Sequence, residues 1–521
     1  MVNWVNESIF YHIYPLGFCG CEETMNDVVH HRLTKIIDWI PHLKSLHINA
    51  LYLGPINAST SHGYDTRDYF TIDSRLGSNN DFKIVCDCLH NAGIRIVLDG
   101  VFNHVGRDFW AFKDLLEKKE NSPYQNWFHN VRFNETNSFQ DPFHYDTWEG
   151  YDELVKLNLS NPEVKEHLLS AISMWIDEYH IDGLRLDAAD CMDQDFFHSL
   201  KCFCKEKKQD FWLMGEIIHG DYNRWANDSM LDSVTNYECF KGLWSSHNTK
   251  NYFEIGYSLN RQFGSGGIYK HLCLYNFVDN HDVNRLASAL NNQQDLFNVY
   301  TLLYTMPGCP SLYYGSEWGI KAIKHDGSDQ DIRPCLELIE DNLLTQHIEK
   351  LGEVREQSLA LQYGDYEQVI LRNEQFIFKR SFNNQVIYIA LNLSDEAYTL
   401  SLKSESLIDA LSNKLYPSVE GNVNIQIQSK QSLILSKSYL EKSSPLIEPA
   451  IIQKGYYRHF KGNEYEVIDI ATHSENLEPY VVYRKCYDDH SLWIRPLKMF
   501  QETIQINHQE IPRFTFIKKS E

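Results

Sequence analysis

The chain has 521 residues, more than one hydrophobic core accommodates, so two to four domains are expected. Hydrophobic residues make up 43% and charged residues 23%, ordinary globular values, while the net charge of −23 argues against nucleic-acid backbones and anionic membranes as partners. No run of about eighteen apolar residues occurs, so no membrane-spanning helix is expected, and the start "MVNWVNESIFYHIYPLGF" lacks a secretory signal pattern.

From residue 1 to about 355, short β-rich runs alternate with amphipathic helical stretches. The predicted strands are "SIFYHIYPL", "INALYLGPI", "IRIVLDGVF", "DGLRLDAA", "FWLMGEII", "DSVTNYE", "LYNFVDNHD" and "PSLYYGSE". Between them lie helices such as "RLTKIIDWIPHLKSLH" and "PEVKEHLLSAISMWIDEYH". Eight β/α alternations predict an α/β fold, a (β/α)8 TIM barrel over residues 1–104 and 159–358. Residues 105–158 separate the third and fourth strands by more than a βα loop, and this Asn-, Trp-, Phe- and His-rich insertion reads as a lid.

After about residue 359 the pattern becomes alternating strands, "QVIYIALNLS", "AYTLSLKS", "VNIQIQS" and "QSLILSKS", which predict a C-terminal antiparallel β-sandwich over 359–440. The polar, proline-bearing "SYLEKSSPLIEPA" reads as a linker, and 450–521 as a small extra β-rich domain. Tyr456, Tyr457, Tyr465 and Trp493 in that last unit are either its core or a sugar-stacking surface. Aromatics reach 13% of the chain, which suits both core filling and stacking on flat sugar faces. The twelve cysteines occur singly or as C-x-C and never at zinc-site spacing, so reduced thiols in a cytoplasmic protein are expected.

Polar residues then concentrate where barrel chemistry sits, at the C-terminal ends of strands. In "GLRLDAAD" the period of two puts Arg185 and Asp187 on one strand face. Desolvating both is costly unless they are paired, so the octamer alone reads as an ion pair or as a site. "LDGVFNH" adds Asp99, Asn103 and His104, "GEII" adds Glu216, and "FVDNHD" adds His281 and Asp282. Four strand ends converging on one rim are hard to explain by packing, and favour a site.

The ordered set "DGVFNH", "GLRLDAAD", "GEII" and "FVDNHD" resembles the alpha-amylase superfamily of glycoside hydrolases. "SHGYDTRDYFTID", "GCPSLYYGSEWG" and "IFYHIYPLGF" resemble it too, over residues 1 to about 440. The resemblance implies a retaining hydrolase of α-1,4-glucosidic bonds in maltodextrins or related α-glucan oligosaccharides, with Asp187 as nucleophile, Glu216 as acid/base and Asp282 as the third catalytic carboxylate. It implies substrate-binding roles for Tyr64, His104, Arg185, His281, Asp329 and Arg333. Arg185 is expected to lower the pKa of Asp187, apolar neighbours Ile217 and Ile218 to raise that of Glu216, and Asp99 to brace the barrel. The alternatives on the same scaffold are a glucanotransferase, a trehalose-forming isomerase, or a non-catalytic sugar-binding relative.

"ELVKLN" resembles the lid motif of neopullulanases, cyclomaltodextrinases and maltogenic amylases, which usually carry an N-terminal β-domain; here the barrel starts at once, so dimerisation through such a domain is not expected. Many relatives bind calcium through the position of Asn103, a lid aspartate and a histidine that is Cys191 here, after Asp190. A thiol is a poor ligand for a hard cation, which leaves a backbone carbonyl at 191 as the alternative, and no cofactor is required. No protein partner is evident, and the last unit resembles a small bacterial module of unknown function.

Overall fold

In the computed structural model the short apolar runs become eight parallel strands, and the description covers residues 3–325, 327–441, 452, 454–473, 479–506 and 509–519. They are β1 (Phe10–Ile13), β2 (Ala50–Leu53), β3 (Arg95–Gly100), β4 (Gly183–Leu186), β5 (Trp212–Gly215), β6 (Ser233–Val234), β7 (Tyr275–Asn276) and β8 (Cys309–Tyr313). Their order in the sheet is β6-β5-β4-β3-β2-β1-β8-β7, so β1 and β8 are neighbours, as a barrel requires. The remaining seam, β6 to β7, carries one parallel bridge, Thr235 to Tyr275, with the Asn236 N–H donating to Tyr275 O at 2.9 Å. Side-chain amides reinforce it: Asn236 Nδ2 donates to Asn276 Oδ1 at 2.8 Å and to Gln262 Oε1 at 3.0 Å.

Helices wrap the barrel, and their ends follow from local chemistry. The longest, Pro162–Tyr179, starts with Asn161 accepting the Glu163 N–H and Pro162 in the first turn, and stops at His180 in the left-handed region. Helix Asn79–Asn91 opens with a capping box between Ser78 and Asp81. Among the described residues no helix is long and apolar enough to cross a membrane.

Alternate strand residues point into the barrel, and their character changes along each strand. Phe10, Ala50, Val97 and Trp212 fill the floor. Gly183 makes room there, since a Cβ on it would lie 2.6 Å from the Trp212 carbonyl oxygen. Two residues further on, the inward positions become His12, Tyr52, Asp99 and Arg185, with Asp99 paired in register with Arg185. Packing thus ends where the polar rim begins.

The insertion after β3 contains a helix, Trp110–Lys118, and a three-stranded antiparallel sheet formed by His104–Gly106, Tyr151–Lys156 and Thr147–Trp148. Beyond the barrel, a six-stranded and a three-stranded antiparallel sheet enclose a core that includes Ile377, Leu400, Val423, Ile425 and Leu433. The sequence reading singled out four of these nine strands.

The chain divides into two compact units, residues 1–442 and 443–521. The expected linker runs mostly through residues 442–450, which lie outside the described residues, as does the expected start of the last domain. The second unit is a five-stranded antiparallel sheet with a further hairpin and the short helix Leu497–Gln501. Tyr457, Val467, Tyr483, Phe500 and Phe514 form its core with Tyr465 packed against it, so of the aromatics considered for sugar stacking Tyr457 is a core residue and Tyr465 leans on that core. Trp493 is 50% exposed. A chain ended at residue 442 is expected to stay soluble and to keep the main thermal transition of the full-length protein within a few degrees. A circular-dichroism melt checks this, and loss of that transition would show that the two units fold interdependently.

Candidate active site

The strand ends bring the polar residues together around one guanidinium. Arg185 Nη1 donates to Asp187 Oδ1 at 2.9 Å and to Asp99 Oδ1 at 2.9 Å, and Nη2 reaches Glu216 Oε1 at 2.8 Å. Asp99 also accepts from Tyr52 (2.7 Å) and Tyr64 (3.2 Å), which fixes it as a brace. The other oxygen of Glu216 accepts the Ala188 N–H at 3.1 Å. That contact depends on a turn straight after Asp187, where Ala188 adopts φ 45° and ψ 43°. A left-handed non-glycine residue is strained and clusters at functional sites.

A second group gathers on the β7 and β8 side. His281 Nε2 lies 3.0 Å from Asp282 Oδ2 and also meets the Tyr64 hydroxyl. Arg333 Nη2 bridges Asp282 (2.9 Å) and Asp329 (2.8 Å), while its Nε donates to the His281 carbonyl at 2.8 Å. Tyr14 and Tyr64 stack on the His281 ring, with centroids 5.7 and 5.6 Å away. His104 Nε2 stands 3.9 Å from Asp187 Oδ2.

Burial dominates the electrostatics of the first group. It raises the Asp187 carboxyl well above its ordinary value, with Arg185 opposing and Glu216 and Asp99 adding repulsion. Arg185 acts downward as expected, but its guanidinium is divided among three carboxylates and does not offset the desolvation of Asp187. Burial also raises Glu216, with Asp282 adding to the effect. Two buried carboxylates on one arginine titrate as a pair. At Asp282 burial works in the same direction but is outweighed by His281, Arg333 and Arg185, so this carboxyl lies well below the carboxylate range. Burial lowers His104 to about 3, which keeps its imidazole neutral.

These groups line a cleft of about 1450 Å³. Of the nine residues proposed from sequence, Tyr64, His104, Asp187, Glu216, Asp282, Asp329 and Arg333 face it. Arg185 and His281, 3% and 1% exposed, lie behind and hold the carboxylates. Four aromatics that the sequence reading did not single out also line the cleft: Tyr14, Trp148, Tyr151 and Tyr237. Only the tryptophan-rich composition of the insertion hinted at one of them.

At the position where the resemblance raised calcium as an alternative, the side chains present a mixed donor set. The Asn103 amide nitrogen meets His104 Nδ1 at 3.2 Å and leaves its Oδ1 buried without a hydrogen-bond partner among the described residues, whereas Cys191 presents a thiol, a poor ligand for a hard cation. Of the lid carboxylates, Asp141 is held by Arg107 at 2.7 and 2.9 Å. Among the described residues no group of three His, Cys, Asp or Glu side chains is placed to hold a metal.

Comparison with known proteins agrees with this geometry. The family model "Alpha amylase, catalytic domain" matches residues 12–340, and that of a protein family of unknown function, DUF1653, matches residues 455–516. A cyclomaltodextrinase from a Bacillus species is 30% identical over 422 residues, which is 76% of this chain and 74% of the relative. An intracellular maltogenic amylase from Bacillus subtilis is 28% identical over 426 residues, 77% of this chain and 71% of its own. A solved cyclomaltodextrinase structure is similar with a TM-score of 0.74 and 27% identity, covering 83% of this chain and 78% of that one. A (β/α)8 barrel with its acidic residues at these strand ends, matched over most of its length, places the chain in the alpha-amylase family of glycoside hydrolases.

Proposed function

We propose that the protein is a retaining hydrolase of α-1,4-glucosidic bonds in maltodextrins or related α-glucan oligosaccharides. The observation that carries this reading is the single guanidinium of Arg185 bonded to both Asp187 and Glu216. It keeps the two carboxylates at close quarters, in keeping with the roughly 5 Å spacing of retaining enzymes rather than the wider gap an inverting enzyme leaves for water. Asp187 attacks the anomeric carbon while Glu216 protonates the departing oxygen. The glycosyl–Asp187 ester is then cleaved by water that gives its proton to Glu216. Asp282, held ionised by His281 and Arg333, grips the hydroxyls of the reacting sugar.

The names of the relatives support the substrate class, and "intracellular" in one of them supports a cytoplasmic location, as do the twelve free cysteines.

Four outcomes test the mechanism. Asp187→Asn is expected to lower turnover of maltotetraose by roughly 10³-fold or more with an unchanged melting curve. Proton NMR of the earliest product is expected to show the α-anomer, and initial β-anomer would mean inversion. The pH profile of kcat/KM is expected to be bell-shaped with its acid limb above the ordinary carboxylate value of about 4, because burial raises both members of the pair. Arg185 acts downward on both carboxyls. Arg185→Lys, which cannot span the two carboxylates, should therefore move the acid limb of the remaining activity to higher pH.

A further inference from the structure

The stretch "GYYRHFKGNEYEV" lies in the second compact unit, among none of the residues that hold the reacting carboxylates. Its middle is a tight turn between strands Gly455–His459 and Glu464–Thr472. The Gly462 N–H donates to His459 O at 2.7 Å, the His459 N–H donates to Asn463 O at 2.8 Å, and Gly462 takes φ 97°. The Phe460 N–H donates to Arg513 O at 3.0 Å, which sets the turn beside the start of strand Phe514–Lys519. Aromatic rings link the pieces. The His459 ring lies 4.3 Å from Phe460 and 4.8 Å from Phe514. Arg495, from strand Leu492–Pro496, places its guanidinium 5.5 Å from the Phe514 ring, and Lys461 its ammonium 5.6 Å from the Phe460 ring. Strands distant in sequence thus gather Lys461, His459, Arg495 and Arg513 around two phenylalanines.

This group is short of acid. Four carboxylates of the unit are each held by a cation: Glu464 by Arg458 at 2.7 Å, Asp469 by Lys454 at 2.8 Å, Asp489 by Lys485 at 3.3 Å, and Glu502 by Arg513. The side chains of Lys461 and Arg495 have no ion pair and no hydrogen-bond acceptor among the described residues, and their contacts are the two rings. Burial lowers the His459 imidazole below its ordinary value, and Arg495, Arg513 and Lys461 add to the effect, so three cations act on one ring. His459 Nδ1 accepts the Lys461 N–H at 3.4 Å, which assigns the proton of the neutral ring to Nε2, a donor. Cations gathered without an acid repel one another, a cost that a bound anion removes. A phosphate monoester carries about −1.5 to −2 charge at pH 7, which two unmatched cations balance. A polyanion fits less well, because acidic and basic residues nearly cancel over this unit and the whole chain stands at −23.

We propose that Lys461, His459 and Arg495 form a binding site for a phosphate group, carried by inorganic phosphate or by a small sugar phosphate. The site is independent of the α-glucan reading of the catalytic cleft. Arg495 offers a planar fork to two oxygens, Lys461 a point charge to a third, and His459 Nε2 a neutral donor. Phe460 and Phe514 pack between these groups and keep them at fixed spacing.

The test is calorimetry on the full-length protein at physiological ionic strength, with inorganic phosphate, glucose 6-phosphate and glucose as probes. One phosphate group is expected to bind per chain, and Lys461→Gln and Arg495→Gln each to weaken it at least ten-fold, about 1.4 kcal/mol. Tighter binding of glucose 6-phosphate than of inorganic phosphate, lost in the same variants, identifies a sugar phosphate; equal or weaker binding identifies the free ion. Glucose alone reports any contribution from the catalytic cleft. Arg495 packs on Phe514, so a folding defect in its variant would appear in the melt, and the exposed Lys461 carries the test by itself. Arg484→Gln removes an exposed cation from the strand face opposite the core residue Tyr483, and is expected to leave the affinity unchanged. Absence of saturable binding by both phosphate probes, binding that Lys461→Gln leaves intact, or equal weakening by all three substitutions would overturn the site.

Discussion

One buried guanidinium sits between three carboxylates that would otherwise repel one another. Two like charges about 4 Å apart cost roughly 4 kcal/mol at the effective dielectric of a protein site. Asp99, Asp187 and Glu216 could not share the top of the barrel without Arg185 between them. The arrangement also sets the proton inventory. One positive charge against three acidic groups in a desolvated place leaves a deficit that a retained proton reduces. Under the proposed mechanism, which begins with one carboxyl protonated and another ionised, the site is prepared by its own charge balance. Asp99 never meets the cleft; it takes part of the guanidinium's hydrogen bonding, and the tyrosines that donate to it hold that bond in place.

The barrel was largely legible in the sequence because parallel strands are buried on both faces and read as apolar runs. "IRIVLDGVF" and "FWLMGEII" place their strands correctly for this reason. The strand-end acids were legible too, because a period of two shows which polar residue shares a face with which. What stayed hidden depends on groups distant in sequence. Asp99 and Arg185 are 86 positions apart, and that the arginine would be shared three ways follows only from the register of β3 against β4. The rise in the Asp187 carboxyl has the same origin, since burial is a property of the assembled rim. Ala188 gave no signal at all, because alanine has no preference for the left-handed region.

The antiparallel region shows the limit of alternation as a guide. Strand Tyr398–Lys403 alternates clearly between buried and exposed and was foreseen, whereas Asp365–Leu371 has only one fully buried side chain and was not. Edge strands with few buried positions carry little pattern for a reader to find. The hairpin at Glu149–Gly150 belongs to the same class: the turn residues are favourable, but the strand before them has just two residues.

The seam between β6 and β7 gives the barrel an uneven tolerance to change. Elsewhere around the ring, closure rests on backbone ladders that any apolar side chain of suitable size leaves intact. Here the two-residue strands provide almost no ladder, and the carboxamides of Asn236, Asn276 and Gln262 supply the missing rungs. Circular closure is therefore written at this point in residue identity rather than in backbone geometry. β7 leads directly to His281 and Asp282, while Asp187 and Glu216 stand on the other side of the seam, tied to each other through Arg185. A fault in the amide rungs would accordingly reach the His281 and Asp282 side of the cleft before it reached Asp187 and Glu216, so that a variant that still folds would loosen one half of the proposed site and leave the other in place.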